Sequence, residues 1–439
     1  MRVSRLNDFS ALDAAAVAKA ADEYGTPVYL YDETLIRERC RECLSMPNAF
    51  GITVRYAMKA NSNRTLLKII SNEGLHIDAS SLNEVIRASL AGIPLENIML
   101  TTQEVHTGAA RVKLEDLLRK GLNYNICSLR QLELVCDFAA ANRLEPGIRI
   151  HPGIGSGESA TRNTGDDYSC FGVHMTNLEE AIGYAADNGL KFKHIHVHIG
   201  SGADSEKWRQ NIDLELSIIE KHFPDALTVC FGGGLKEARM PDENAADIFS
   251  LGDYAKRRIR DFYERTGRKL RMEIEPGTYI LANAGYAVTR VIDKKSTSRS
   301  NFIIIDGGME INSRPLLYGS KHPLYIVSAD GAEVRSSEFA ADGAAAAGVS
   351  YSAVVAGKCC ESGDCQTLDM DGHSTTRAMA EPEIGDIAVI GGAGAYCSSM
   401  APFNYNSHTQ IPELLYTADS RLELIRKRQT LEQMMENEV

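Results

Sequence analysis

The chain lacks an apolar run long enough to cross a bilayer, so no membrane-spanning helix is expected. It lacks a Lys/Arg-rich block as well. Its 59 acidic residues outnumber 47 basic ones, and a formal net charge of -12 argues against a nucleic-acid partner. Ten cysteines are scattered without the dense, even spacing of a secreted disulfide scaffold. Met1-Arg2-Val3-Ser4-Arg5 leads into polar and alanine-rich sequence with no apolar signal core. Low-complexity tracts and solenoid-type repeats are also missing. A cytoplasmic protein with reduced thiols is the expectation.

What is present is globular composition: 439 residues, 44% hydrophobic and 24% charged. That length exceeds one ordinary core, which points to roughly two to three domains, or to one barrel with an addition. Thr26-Pro27-Val28-Tyr29-Leu30-Tyr31 reads as a strand, with a charged helix from Asp32 to Ser45. Short β-rich runs then recur at Thr53–Met58, His76–Ser80, Asn97–Thr102, Leu122–Cys127, Gly147–Pro152, Lys193–Ile199, Leu227–Phe231 and Arg271–Glu275. Amphipathic stretches separate them, and Ser81-Leu82-Asn83-Glu84 matches a helix capping box. Eight alternations over about 240 residues predict a (β/α)8 TIM-like barrel. Beyond Ala284 the rhythm changes to β-rich runs at Asn301–Asp306, Leu324–Ser328, Ser352–Ala356 and Ile387–Ile390, then a strand at Arg421–Lys427 and a helix at Leu431–Glu438. The expected division is an N-terminal strand segment (1–32) serving a mostly antiparallel β domain, a barrel (33–284) and the remainder of that β domain (285–439).

Catalytic groups of such a barrel belong at the C-terminal ends of its strands. Tyr56-Ala57-Met58-Lys59-Ala60-Asn61 closes the first strand with a lysine, a residue almost never buried without a partner. A desolvated amine there could attack an aldehyde, whereas a snorkelling lysine would only cover apolar surface. His198-Ile199-Gly200-Ser201-Gly202 ends the sixth strand, Gly232-Gly233-Gly234 the seventh and Glu275-Pro276-Gly277 the eighth. Backbone N–H groups of Gly232, Gly233, Gly234 and Gly277, with the Ser201 hydroxyl, could cradle a phosphate. Glu275 could keep a pyridine nitrogen protonated and His198 could stack on the ring; a surface ion pair and a core histidine are the alternatives. A lysine, a carboxylate and a phosphate cradle are the requirements of a pyridoxal-phosphate site.

These motifs resemble the fold-type III pyridoxal-phosphate-dependent decarboxylases over nearly the whole chain. Ser313-Arg314-Pro315-Leu316-Leu317-Tyr318-Gly319, Cys360-Glu361-Ser362-Gly363-Asp364 and Gly394-Ala395-Tyr396 narrow the resemblance to the diaminopimelate decarboxylase family. The resemblance implies that Lys59 holds pyridoxal 5'-phosphate and Glu275 pairs with its ring nitrogen. It implies that Ser201, Gly234, Gly277 and Tyr396 contact the phosphate, and that Arg314 and Tyr318 grip the substrate's distal carboxylate. Cys360 and Glu361 would come from the partner subunit of a homodimer with shared sites, and meso-2,6-diaminopimelate would lose CO2 to give L-lysine.

Two departures stand out. Thr278 follows Glu-Pro-Gly where the family usually has arginine, and Cys170 stands where lysine is usual. The missing arginine removes a charge-assisted contact worth roughly 1.5–3 kcal/mol and motivates a rival substrate lacking the distal carboxylate. A non-catalytic cofactor carrier is a second rival. A third is a metal-dependent barrel hydrolase, because His194, His196 and His198 alternate on one strand face. No metal is assigned: Cys359, Cys360 and Cys365 fit no zinc spacing. Cys360 itself could be a small buried hydrophobe.

Overall fold

The computed structural model describes residues 14–155, 164–166, 168–200, 204–338 and 351–439. Two compact units emerge: one takes the described residues of Arg37–Lys236 and Ala245–Tyr279, the other the rest.

The first unit is the expected barrel. Its eight strands are Ile52–Ala57, His76–Ala79, Ile98–Thr101, Asn123–Ile126, Gly147–His151, His194–Val197, Thr228–Cys230 and Arg271–Ile274. All neighbours are parallel, and the ring closes where Met272 lies opposite Ile52. A two-residue strand, Val173–His174, adds to the fifth. Several of the helices between them begin at a side-chain cap and carry an apolar stripe. Arg64–Asn72 starts at Asn63, whose side chain accepts the Thr65 N–H at 2.9 Å, and buries Leu66, Leu67, Ile69 and Ile70. At Ser81 the capping differs from the expected box. Ser81 does accept the Glu84 N–H at 3.1 Å, but the Glu84 carboxylate reaches back to the N–H of Ser80, at 2.6 Å.

Apolar residues point out of this barrel and polar ones point in. Ile148 and Ile150 flank Arg149, and Ile195 and Val197 flank His196, all of them buried. The lower interior is a connected network. Glu273 takes Arg55 Nε at 2.8 Å and His194 Nε2 at 2.9 Å, while His194 Nδ1 meets Asn125 Oδ1 at 2.9 Å. Gly147 makes room for it, since a Cβ there would lie 2.1 Å from Asn125 Oδ1. Burial drives the Glu273 carboxyl up, but Arg55 and His194 outweigh it and hold the group well below the usual carboxylate range.

The second unit is built on a ten-stranded, mostly antiparallel sheet. Val28–Asp32 runs antiparallel to Gly285–Ser296 and parallel to Glu413–Tyr416, so the N-terminal strand sits inside this sheet. A core of Val28, Leu30, Tyr286, Val288, Val327, Ile387, Val389 and Leu414 packs against the helix Ala14–Tyr24. Neither that helix nor the strands Gly285–Ser296 and Glu413–Tyr416 was expected. Alanine-rich sequence carries weak periodicity, and the long strand begins at the point where the barrel rhythm stops. The terminal helix is shorter than expected, Leu431–Met435, and Thr430 and Gln433 close a capping box on it.

Removing one partner from a buried ion pair leaves the other charged and unpaired. Arg55→Met is therefore expected to cost about 3–5 kcal/mol in urea unfolding. Adding Glu273→Gln should recover part of that loss; an Arg55→Met protein as stable as the parent would show that the network contributes nothing.

Candidate active site

Hydrogen bonds donated by backbone N–H groups lace four strand ends of the barrel into one rim. The Ala57 N–H donates to Pro276 O at 3.1 Å, the Glu275 N–H to Gly232 O at 2.9 Å, and the Gly233 N–H to His198 Nδ1 at 3.1 Å. Lys59, His198, the glycine run and Glu275 are thereby held by neighbouring elements. The glycines are sterically required. Gly232 has φ of +69°, and a Cβ on Gly233 would lie 2.4 Å from the Glu275 carbonyl oxygen. Gly234 is also in the left-handed region and Gly277 is buried in the next turn.

Glu275 is buried, with His196 Nε2 at 3.0 Å from Oε2 and the Cys230 thiol donating to Oε1 at 3.4 Å. Burial raises a carboxyl, yet the contact from His196, with the Lys59 charge added, holds Glu275 well below the usual range. Glu275 is the ionised carboxylate of the rim. Asp78 goes the other way: burial and the Glu275 charge push it well above the carboxylate range, so it keeps its proton. Burial, with Arg149 and Lys59 nearby, depresses His198 far below an ordinary imidazole. Its Nδ1 accepts the Gly233 N–H, so the neutral ring carries its proton on Nε2.

Lys59 stands on the single 3-10 turn Met58–Ala60, just past the first strand, and its side chain is exposed. The chain by itself therefore does not desolvate the amine as expected, because the turn lifts it beyond the strand. Its charge still lowers the proton affinity of Asp78, Glu84 and Glu275. Thr278 is half-buried at the start of the short helix Thr278–Leu281. Ser201 lies outside the described residues.

The remaining expected site residues belong to the β unit. Arg314 is buried at the start of the helix Arg314–Tyr318, its guanidinium 5.7 Å from the Tyr318 ring centre. Its Nη2 donates to Ser320 Oγ at 3.3 Å, and its Nε has no hydrogen-bond partner among the described residues. Cys360 is exposed, which removes the buried-hydrophobe alternative, and its N–H donates to Asn406 Oδ1 at 2.7 Å. The Tyr405 hydroxyl, 3.0 Å from Glu361, holds that carboxyl below its usual range. Tyr396 is half-buried with φ of 59°, a conformation that costs a non-glycine residue energy.

A pyridoxal group fits the rim by its chemistry: a neutral ring-bearing histidine, an ionised buried carboxylate, an accessible lysine and a glycine turn that admits no Cβ. The pyridoxal-binding domain model of the pyridoxal-dependent decarboxylases matches residues 34–282. Diaminopimelate decarboxylase of Streptomyces coelicolor is 33% identical over 98% of this chain and 93% of its own length. The chain belongs to the pyridoxal-dependent decarboxylases, in the diaminopimelate decarboxylase family. A crystal structure of diaminopimelate decarboxylase aligns at a TM-score of 0.85 and 29% identity over 98% of each chain. The Helicobacter pylori enzyme in complex with L-lysine aligns at 0.77 and 26%, over 95% of this chain and 98% of that one. As a family member this chain is a carboxy-lyase whose cofactor is pyridoxal phosphate.

The histidines do not act as one ligand set: His194 groups with Cys230 and Glu273, and His196 with Cys230 and Glu275. His194 and His196 face different carboxylates, Glu273 and Glu275, and no metal-like cluster among the described residues contains two of the three. No described helix is long and apolar enough to cross a membrane.

Sequence reasoning missed Glu215. It lies on the helix Ser205–His222, on the face that also buries Trp208 and Asn211, and is fully buried. Neither carboxyl oxygen has a partner among the described residues, and burial, with Glu275 adding to it, pushes its pKa well up. Its spacing from Trp208 and Asn211 was the available signal. The folded protein holds a proton here that the unfolded chain releases above the ordinary carboxylate range. Stability from this group is complete below that range and is lost as pH rises through the raised value. Glu215→Gln keeps the neutral form at every pH, so its gain in thermal midpoint over the parent should grow from acid to alkaline pH. A gap independent of pH would refute a protonated Glu215.

Proposed function

We propose that this enzyme decarboxylates meso-2,6-diaminopimelate at its D-centre to L-lysine and CO2, as a cytoplasmic homodimer with shared active sites. The observation that carries the reading is the laced rim of Lys59, neutral His198 and ionised Glu275. The full-length similarity, which extends through the β unit and its Arg314–Tyr318 helix, supports the substrate. The working division is cofactor binding by 33–284, with substrate and dimer contacts from 285–439 and the strand segment 1–32 completing the β domain.

Lys59 would hold the cofactor. Glu275 would keep its ring nitrogen protonated through its negative charge. His198, neutral, would contact the cofactor without competing for that charge. The N–H groups of Gly232, Gly233, Gly234 and Gly277, with Ser201 and Tyr396, would bind the phosphate. When bound, pyridoxal phosphate supplies the electron sink for the pair left behind by departing CO2. Arg314 and Tyr318 hold the distal carboxylate, and Glu361 of the partner subunit faces the distal ammonium. A proton then reaches the carbon that lost CO2, from the thiol of the partner subunit's Cys360 or from the Lys59 ammonium.

Thr278 favours a second reading, an amino-acid substrate without the distal carboxylate. The buried Arg314, with an Nε free of partners among the described residues, argues for keeping that carboxylate. The deciding experiment is CO2 release from meso-diaminopimelate by the cofactor-loaded protein, with the product identified by mass. Lysine formation supports the proposal; no release with cofactor bound moves the assignment to the second reading. Lys59→Ala should abolish the visible absorbance of bound cofactor, and an unchanged spectrum would remove Lys59 from its role. Arg314→Leu should lower kcat/KM for diaminopimelate about 10- to 100-fold, the range of a lost charge-assisted hydrogen bond. An unaltered kcat/KM would place the distal carboxylate elsewhere.

A further inference from the structure

Asn312, two residues ahead of Arg314 in the β unit, is 1% exposed and uses both polar atoms of its side chain. Its Oδ1 accepts the Cys397 thiol at 3.3 Å and, as a longer contact, the Arg314 N–H at 3.4 Å. Its Nδ2 donates to Gln366 Oε1 at 3.0 Å, and Gln366 Nε2 donates back to the Asn312 carbonyl at 3.3 Å. Gln366 is buried to the same degree. The direction of this chain of bonds is set at both ends. A backbone N–H can only donate, so the Asn312 oxygen faces Arg314. A backbone carbonyl can only accept, so the Gln366 nitrogen faces Asn312. The bond between the two amides then has one consistent sense.

Each of these bonds reaches a stretch that carries an expected site residue. Arg314 opens the helix Arg314–Tyr318, so its N–H finds no acceptor within the helix, and Asn312 provides one. At the other end of the side chain, Nη2 is bonded to Ser320, so the arginine is held at both ends. Cys397 directly follows Tyr396. Gln366 lies two residues beyond Asp364, which accepts the Met309 and Cys359 N–H groups, each at 2.6 Å. An apolar residue of similar shape could fill the space at 312, but it would leave the Arg314 N–H and the thiol without this acceptor. Packing alone calls for no amide at either position. An acceptor at the entrance to the arginine helix calls for one at 312, and for a partner at 366 to orient it.

We propose that Asn312, oriented by Gln366, is a positioning residue that sets Arg314 for the distal carboxylate of the substrate. This role rests on the reading of Arg314 as the ligand of that carboxylate. It makes the buried amide pair part of how the enzyme selects a substrate with a carboxylate at both ends.

Steady-state kinetics of the cofactor-saturated enzyme with meso-diaminopimelate test the role, with two inhibitors as probes. L-Lysine, the product in that reading, keeps the distal carboxylate; 1,5-diaminopentane is the same skeleton without it. The Arg314 contact is made in the ground state and the transition state alike, so its loss shows in KM rather than kcat. Asn312→Leu should raise KM about tenfold with little change in kcat, and weaken inhibition by L-lysine by about the same factor. Inhibition by 1,5-diaminopentane should stay at the parent's level. If the single variant fails to fold because the Gln366 amide is left unpaired, the double variant Asn312→Leu, Gln366→Leu removes that amide too and is read in the same way. An unchanged KM, or a loss for 1,5-diaminopentane as large as that for L-lysine, would overturn the positioning role. A parent that releases no CO2 from diaminopimelate would overturn the substrate reading and this role with it.

Discussion

Keeping a carboxylate ionised where water hardly reaches costs several kcal/mol, and the barrel interior is arranged around that cost at Glu275. His196 stands 3.0 Å from one oxygen, the Cys230 thiol donates to the other, and Lys59 adds its charge. The nearby acids are neutralised: Asp78 and Glu215 both keep their protons, and the Glu275 charge is among the causes. One negative charge is thus selected from three buried carboxyl groups. A pyridine nitrogen set against that charge would hold its proton, which is the condition for the ring to take up electrons.

The same economy explains the layer beneath. Glu273 also remains charged, but Arg55 and His194 bond it directly, so its charge is met within the network. Strand periodicity places both acids on the inner face two residues apart, one layer for structure and one for chemistry. Backbone hydrogen bonds from Ala57 to Pro276 and from Glu275 to Gly232 tie the upper layer to strand ends rather than to long loops. A rim built in this way is positioned by the sheet itself.

The barrel was legible because its pattern is periodic: eight short β-rich runs alternate with amphipathic helical stretches. The second sheet was half legible. Its short runs at Leu324–Val327 and Ile387–Ile390 are dense in β-branched and aliphatic residues, whereas Glu413–Tyr416 opens on a glutamate and one of its two partners, Val28–Asp32, lies almost 400 residues away. Such a pairing leaves no local trace. For the site, glycine runs and strand-end positions drew attention to Lys59, His198, Gly232 and Glu275. Burial and charge state could not be read that way. Lys59 is exposed where a desolvated amine was expected, and Glu215, an ordinary helical glutamate in sequence, is among the most buried acids of the chain.

The alternating histidines show why spacing alone misleads about chemistry. His194, His196 and His198 share one inward face, as a metal site on a strand would require. A repeat of two residues along a strand, however, separates successive side chains by nearly 7 Å, and the opposite strands carry a different partner at each level. His194 meets Glu273 and Asn125, His196 meets Glu275, and His198 is turned by the Gly233 N–H. Each ring is therefore assigned by what faces it across the barrel. The lowest completes a structural network, the middle one supports the ionised carboxylate, and the uppermost, held neutral, is the one left to meet a ligand.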